Sequence, residues 1–118
     1  MNELGDYLRG RRLARYETDP AYSVNRVAGR VGVTPSYLSQ VERGLTRSPP
    51  SEETLVALAD DLGVDRDLVL ALAGKIASDL RQTITRRPTL FAELLRELRD
   101  APDHAVLRLV REVRDGDW

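Results

Sequence analysis

The chain has 118 residues, 42% of them hydrophobic and 31% charged, which fits one compact domain, or a small domain with an appendage, and excludes two large ones. Its formal net charge of −1 hides an asymmetry: residues 1–50 carry eight arginines against five acids, and residues 51–118 ten basic residues against fourteen acids, so the front half is the one suited to face a polyanion. With no cysteine, no apolar run near the roughly 18–20 residues of a membrane span and no apolar signal core behind MNELGDYLRGRR, the chain is expected to be cytoplasmic, away from membranes, and free of disulfides and cysteine chemistry.

Sustained apolar/polar alternation is missing and apolar residues recur at helical spacing, so the chain reads as all-α. A first helix runs from about Asn2 to Tyr16, with Leu4, Tyr7, Leu8 and Leu13 inward and Arg9, Arg11, Arg12 and Arg15 around the other sides. The stretch YETDPAY, Tyr16 to Tyr22, carries Asp-Pro and little periodicity and reads as an exposed excursion. Ser23 caps a second helix from Val24 to Val31. Gly32 stops it, Val33 returns to the core, and Thr34 caps a third helix with Pro35 at its first position. That helix turns Leu38 and Val41 inward and ends at Gly44, where the polar connector LTRSPPS begins. Ser51 caps a fourth helix, opened by Glu52 and Glu53 with the charge a helix N-terminus favours and striped by Leu55, Leu58, Ala59 and Leu62. Gly63 stops it, and Asp65 caps a fifth helix with Leu68, Val69 and Leu72 on its apolar face, up to Gly74.

Beyond Gly74 about three more helices are expected, dividing the chain into a domain of residues 1–74 and a helical region of residues 75–118. Ile76, Leu80 and Ile84 pace the first. Leu90, Phe91, Leu94, Leu95 and Leu98 make a wide stripe on the next, and Ala105, Val106, Leu109, Val110 and Val113 another. Pro88 and Pro102 stand where helices restart, and the tail RDGDW is expected to fray. The two wide stripes need a cover, supplied either by a symmetry mate in a two-fold interface or by the fourth and fifth helices of the same chain.

What the second and third helices leave outward is distinctive. Thr34, Ser36, Tyr37, Ser39, Gln40 and Arg43 offer hydroxyls, an amide, a phenol and a guanidinium with no acid on that face. The segment SVNRVAGRVGVTPSYLSQVERG, with small Ala28 ahead of the turn at Gly32, resembles the helix-turn-helix of the XRE family, the lambda-repressor-like group of bacterial and phage DNA-binding regulators. PPSEETLVALADDLGVDRDLVLALAG is similar to that family's fourth and fifth helices, so the resemblance covers roughly residues 3–74. It implies a five-helix lambda-repressor-like DNA-binding domain followed by about three C-terminal helices, with the third helix in the major groove and the second crossing the DNA backbone.

Carried over residue by residue, the resemblance implies that Ser36 and Gln40 lie toward base edges, with Pro35 and Ser39 beside them; the Gln40 amide suits adenine at two points. Thr34, Tyr37, Arg43, Thr46, Arg47 and Ser48 would reach phosphates, which position a domain without specifying sequence, and Arg11 or Arg15 would add to them. For Tyr37 the alternative is a half-buried aromatic on the core rim. Arg12 and Glu42 match a first-helix arginine and third-helix glutamate that pair inside the domain. The chain departs from the family at Val24, where relatives carry Gln, at Gly29, which replaces a helix former at a cost of roughly 1 kcal/mol, and in the longer Tyr16–Tyr22 loop, whose Tyr22 stands where relatives place Leu.

Catalytic patterns are missing. Asp60-Asp61 and Glu52-Glu53 are sequence neighbours on diverging helix faces, His104 has neither a second histidine nor a cysteine for a metal site, and there is no nucleophile elbow or phosphate loop. No enzyme activity, metal or cofactor is expected. The expected partner is double-stranded DNA, bound by a homodimer joined through Leu90, Phe91, Leu94, Leu95, Leu98, Val106, Leu109, Val110 and Val113. The expected function is a transcriptional repressor on a palindromic operator with half-sites about 34 Å apart or a multiple of it. The alternative is an antitoxin, or a regulator whose C-terminal helices are held by a toxin or cut by an ImmA/IrrE-type metallopeptidase.

Overall fold

A computed structural model describes residues 2–118. Among the described residues there are eight α-helices and no strand: α1 (Glu3–Tyr16), α2 (Val24–Val31), α3 (Pro35–Glu42), α4 (Glu52–Leu62), α5 (Arg66–Leu72), α6 (Ser78–Arg86), α7 (Pro88–Leu98) and α8 (Asp103–Asp115). A short 3₁₀ turn, Pro20–Tyr22, lies between α1 and α2. The chain divides into two units, one running to Ala77 and the other from Ser78 to Trp118.

In the first unit the helix starts are set by side-chain caps, which satisfy backbone N–H groups that have no partner inside the helix. Ser23 accepts from the Arg26 N–H at 3.3 Å, Thr34 from Tyr37 at 3.0 Å, Ser51 from Thr54 at 3.2 Å and Asp65 from Asp67 at 2.8 Å. Five helices then converge on one core of Leu8, Val27, Ala28, Leu38, Val41, Leu55, Leu58, Ala59, Leu62, Val69 and Leu70.

Two residues expected inside are outside. Leu13 is 37% exposed and Leu68 43% exposed. On α1 the buried line is Gly5, Leu8 and Arg12; Leu13, five residues beyond Leu8, is rotated from it by about 140°. On the seven-residue α5 the inward pair is Val69 and Leu70, and Leu68 falls on the solvent side of that pair. The Tyr16–Tyr22 excursion also contributes more than expected: Asp19 accepts from the Ala21 N–H at 2.9 Å, and the turn so formed packs Tyr22 against the core. The first unit continues from Gly74 to Ala77. There the Lys75 N–H returns to the Leu70 carbonyl at 2.8 Å, and Ala77 still packs against the core.

The second unit is built differently. Pro88 starts α7 immediately after Arg87, and α6 and α7 touch. Ile76 precedes α6 rather than belonging to it. No described side chain of α6, α7 or α8 is buried. Phe91, Leu94, Leu98, Ala105, Val106 and Leu109 are half-buried, while Leu90, Leu95, Leu107, Val110 and Val113 are exposed. At the C-terminus α8 continues to Asp115, and the Trp118 indole N–H donates to the Val113 carbonyl at 3.1 Å, satisfying one of the carbonyls that a helix end leaves free.

Candidate nucleic-acid interface

The turn between α2 and α3 is fixed by Gly32, whose φ of +88° lies in the left-handed region that a Cβ disfavours. The N–H groups of Gly32 and Val33 both return to the Ala28 carbonyl, at 2.9 and 3.0 Å, and Ala28 is fully buried. From that corner α3 leaves with Leu38, Val41 and Glu42 buried. The period of an α-helix then puts Pro35, Ser36, Gln40 and Arg43 on the open side, where all four are exposed. Ser39 and Tyr37 are half-buried, and the Tyr37 ring packs against the core. Thr34 is exposed, with its oxygen already accepting from Tyr37 N–H, so its hydroxyl proton is free to donate outward.

The residues expected at DNA lie on the open face of α3 and along two hollows that have Asn2 in common. Pro35, Ser36 and Gln40 share the open face of α3. Ser39 and Arg43 line a groove of about 640 Å³ together with Asn2, Asp6, Arg9, Arg12, Val24 and Glu42. Thr46, Arg47 and Ser48 line a second hollow of about 260 Å³, beside Asn2, Glu3, Leu4 and the end of α5.

Arg12 and Glu42 are brought together in the wall of the larger groove. Arg12 donates from Nε to Glu42 Oε2 at 2.7 Å and from Nη2 to Oε1 at 2.9 Å, and its Nη1 reaches the Tyr22 carbonyl at 3.2 Å. Glu42 is the only acid in α3, and this pair neutralises and buries it, so the outward side of α3 is free of negative charge. The end of α3 is tied to α1 a second time by Asn2, whose amide donates to the Glu42 backbone carbonyl at 2.8 Å. Gly5 lets the two helices approach this closely: a Cβ there would stand 2.5 Å from that same carbonyl.

Other cations are engaged within the fold. Arg15 and Arg30 both lie over the Tyr22 ring, 5.2 and 5.1 Å from its centre, which is cation–π range. Arg15 also donates to the Tyr22 hydroxyl at 3.2 Å, which holds it on that ring rather than in the groove. Arg30 grips Asp61 at 2.7 and 3.0 Å, and this hydrogen bonding holds its guanidinium above its ordinary pKa. Arg66 grips Asp60 at 2.8 Å through two nitrogens, so the two neighbouring aspartates serve different arginines. Arg9, Arg11, Arg26, Arg43 and Arg47 make no ion pair among the described residues. Sequence reasoning left Arg9 and Asn2 unassigned. Arg9 was open to discovery, because three residues before Arg12 it lies near the same helix face; Asn2 was not, since its partner is forty residues away.

An α-helix with its side chains is about 10–12 Å across, and the major groove of B-DNA is about 12 Å wide. The exposed side of α3 presents an amide, a hydroxyl and a guanidinium at that scale, the donor and acceptor types that read base edges and bind phosphates. Among the described residues no helix is long and apolar enough to cross a membrane. A family model described as a helix-turn-helix domain matches residues 3–72. No curated protein and no solved structure matches the chain significantly.

Proposed function

The chain belongs to the helix-turn-helix domain family, and from that premise we propose that this DNA-binding regulator is an XRE-type repressor acting as a homodimer on a palindromic operator. The observation that carries the reading is the acid-free open side of α3, with Glu42 withdrawn into its pair with Arg12. Gln40 reads an adenine at two points, and Ser36 and Pro35 contact the neighbouring bases. Thr34, Tyr37, Arg43, Thr46, Arg47 and Ser48 hold phosphates on the two flanks. No step in this reading needs a cofactor or a catalytic group, and its place of action is the cytoplasm of a bacterium or of a phage-infected cell.

The homodimer rests on the second unit. Helices α6, α7 and α8 bury no described side chain of their own, and Leu90, Phe91, Leu94, Leu95, Leu98, Val106, Leu109, Val110 and Val113 are the residues through which a second copy covers them. A C₂ homodimer of this kind matches a palindrome whose half-sites lie about 34 Å apart, or a multiple of it. Exposed Leu90 and Leu95 also favour a second reading, in which a toxin or a metallopeptidase occupies these helices.

The experiment that tests both parts is binding of the purified chain to genomic DNA fragments, including the region upstream of its own gene, with its mass measured by sedimentation. Protection of a palindrome by a dimer, with base preference relaxed at one position in Gln40→Ala by about 1–3 kcal/mol, supports the reading. Leu90→Arg with Leu95→Arg should yield a folded monomer of low affinity. Sequence-indifferent binding by a monomer would sink the repressor and direct attention to a protein partner.

A further inference from the structure

The groove beside α3 holds a residue that the reading of the recognition helix leaves out. Arg12 and Glu42 anchor the neighbourhood, and each has a free cation next to it in the chain: Arg9 one helical turn before Arg12, and Arg43 immediately after Glu42. Both line the same groove, both are exposed, and neither makes an ion pair among the described residues. Ser39, half-buried, adds a hydroxyl to the lining. Two exposed guanidiniums that line one groove repel, and an anion bound in that groove lowers the cost. Their forked donors match the oxygens of a phosphate. Asp6 is the groove's one acid without an ion pair among the described residues, and it opposes such an anion.

We propose that Arg9 of α1 joins Arg43 and Ser39 in holding one backbone phosphate of bound DNA in this groove, so that α1 sets the depth and tilt at which α3 docks. The proposal rests on the DNA-binding reading above. It moves Ser39 from base reading to phosphate binding, and it makes Asp6 a brake on affinity. Arg9 is a positioning residue here: it carries no base preference of its own.

The test uses the full chain and two duplexes of equal length, one carrying an operator selected by the wild-type protein from a random pool and one of mixed sequence. Dissociation constants are measured across a salt series for Arg9→Gln, Arg43→Gln, their double variant and Asp6→Asn, with Arg66→Gln as a control that removes one charge outside the groove. Arg9→Gln should weaken both duplexes by about three- to tenfold and lower the salt slope by about one, with base preferences unchanged. The double variant should lose less than the product of the single losses, because the two arginines share one phosphate. Asp6→Asn should tighten binding to both duplexes, the opposite sign to any loss from misfolding. Wild-type affinity and slope in Arg9→Gln, while Gln40→Ala still relaxes base choice, would overturn the proposal and leave the DNA reading standing. Failure of the wild type to bind either duplex would overturn both.

Discussion

Arg12 and Glu42 face each other in a two-point ion pair, 2.7 and 2.9 Å long, with side chains only 7% and 5% exposed. Removing one partner leaves the other charge buried without its complement, so Arg12→Leu or Glu42→Leu alone should cost about 3–5 kcal/mol of stability. The double substitution should restore much of that loss, because two apolar groups need no pairing. Urea denaturation of the four proteins checks this; single variants within about 1 kcal/mol of wild type would mean that water reaches the pair.

Three glycines separate crowding from freedom. A Cβ on Gly5 would run into the Glu42 carbonyl at 2.5 Å, whereas Gly10 and Gly29, both exposed in helices, have nothing within 4 Å. Gly5→Ala should therefore lower stability by about 1–3 kcal/mol. Gly10→Ala and Gly29→Ala should each raise it by about 0.5–1 kcal/mol, since alanine loses less backbone freedom in a helix. Thermal melts followed by circular dichroism decide the signs, and a stabilising Gly5→Ala would disprove the close approach of α1 to the end of α3.

Asp60 and Arg66 provide a pH-dependent contribution at the surface. Hydrogen bonding to Arg66 holds the Asp60 carboxyl below its ordinary value of 3.8. A carboxylate whose folded value is lowered lends stability that is fully present above the unfolded value and is lost as the pH falls through the folded one. The pair is solvent-exposed, so salt screens it. Asp60→Asn should accordingly melt below wild type at neutral pH in dilute buffer, and the two curves should merge both in strong acid and in high salt. A gap of constant size across those conditions would show that Asp60 acts through something other than its charge.

Helix ends are legible in this sequence because their chemistry is local. Ser23, Thr34, Ser51 and Asp65 each accept a backbone N–H within three residues, and Gly32 and Gly63 turn at positive φ just after their helices. Burial on the flanks of short helices is less legible, since it depends on how far a neighbouring helix reaches around. Leu13 and Leu68 have the right residue type and the wrong rotation. Thirty residues separate Arg12 from Glu42 and forty separate Asn2 from Glu42, so no local spacing announces either contact. The ion pair could be anticipated only from family resemblance. The groove formed by α1 and α3 could not be anticipated at all, because it exists only once the two helices are packed.

The placement of its aromatic residues gives the molecule two separate optical reporters. Trp118 is the single tryptophan, and the four tyrosines, Tyr7, Tyr16, Tyr22 and Tyr37, all precede Ser78. Excitation at the red edge of the indole band therefore interrogates the second unit alone, while near-ultraviolet dichroism of tyrosine follows the first. The indole is pinned by its N–H to Val113 yet 87% exposed, so its emission should start out red-shifted and open to soluble quenchers. Any molecule that covers the end of α8 will shift that emission to the blue, with no label attached.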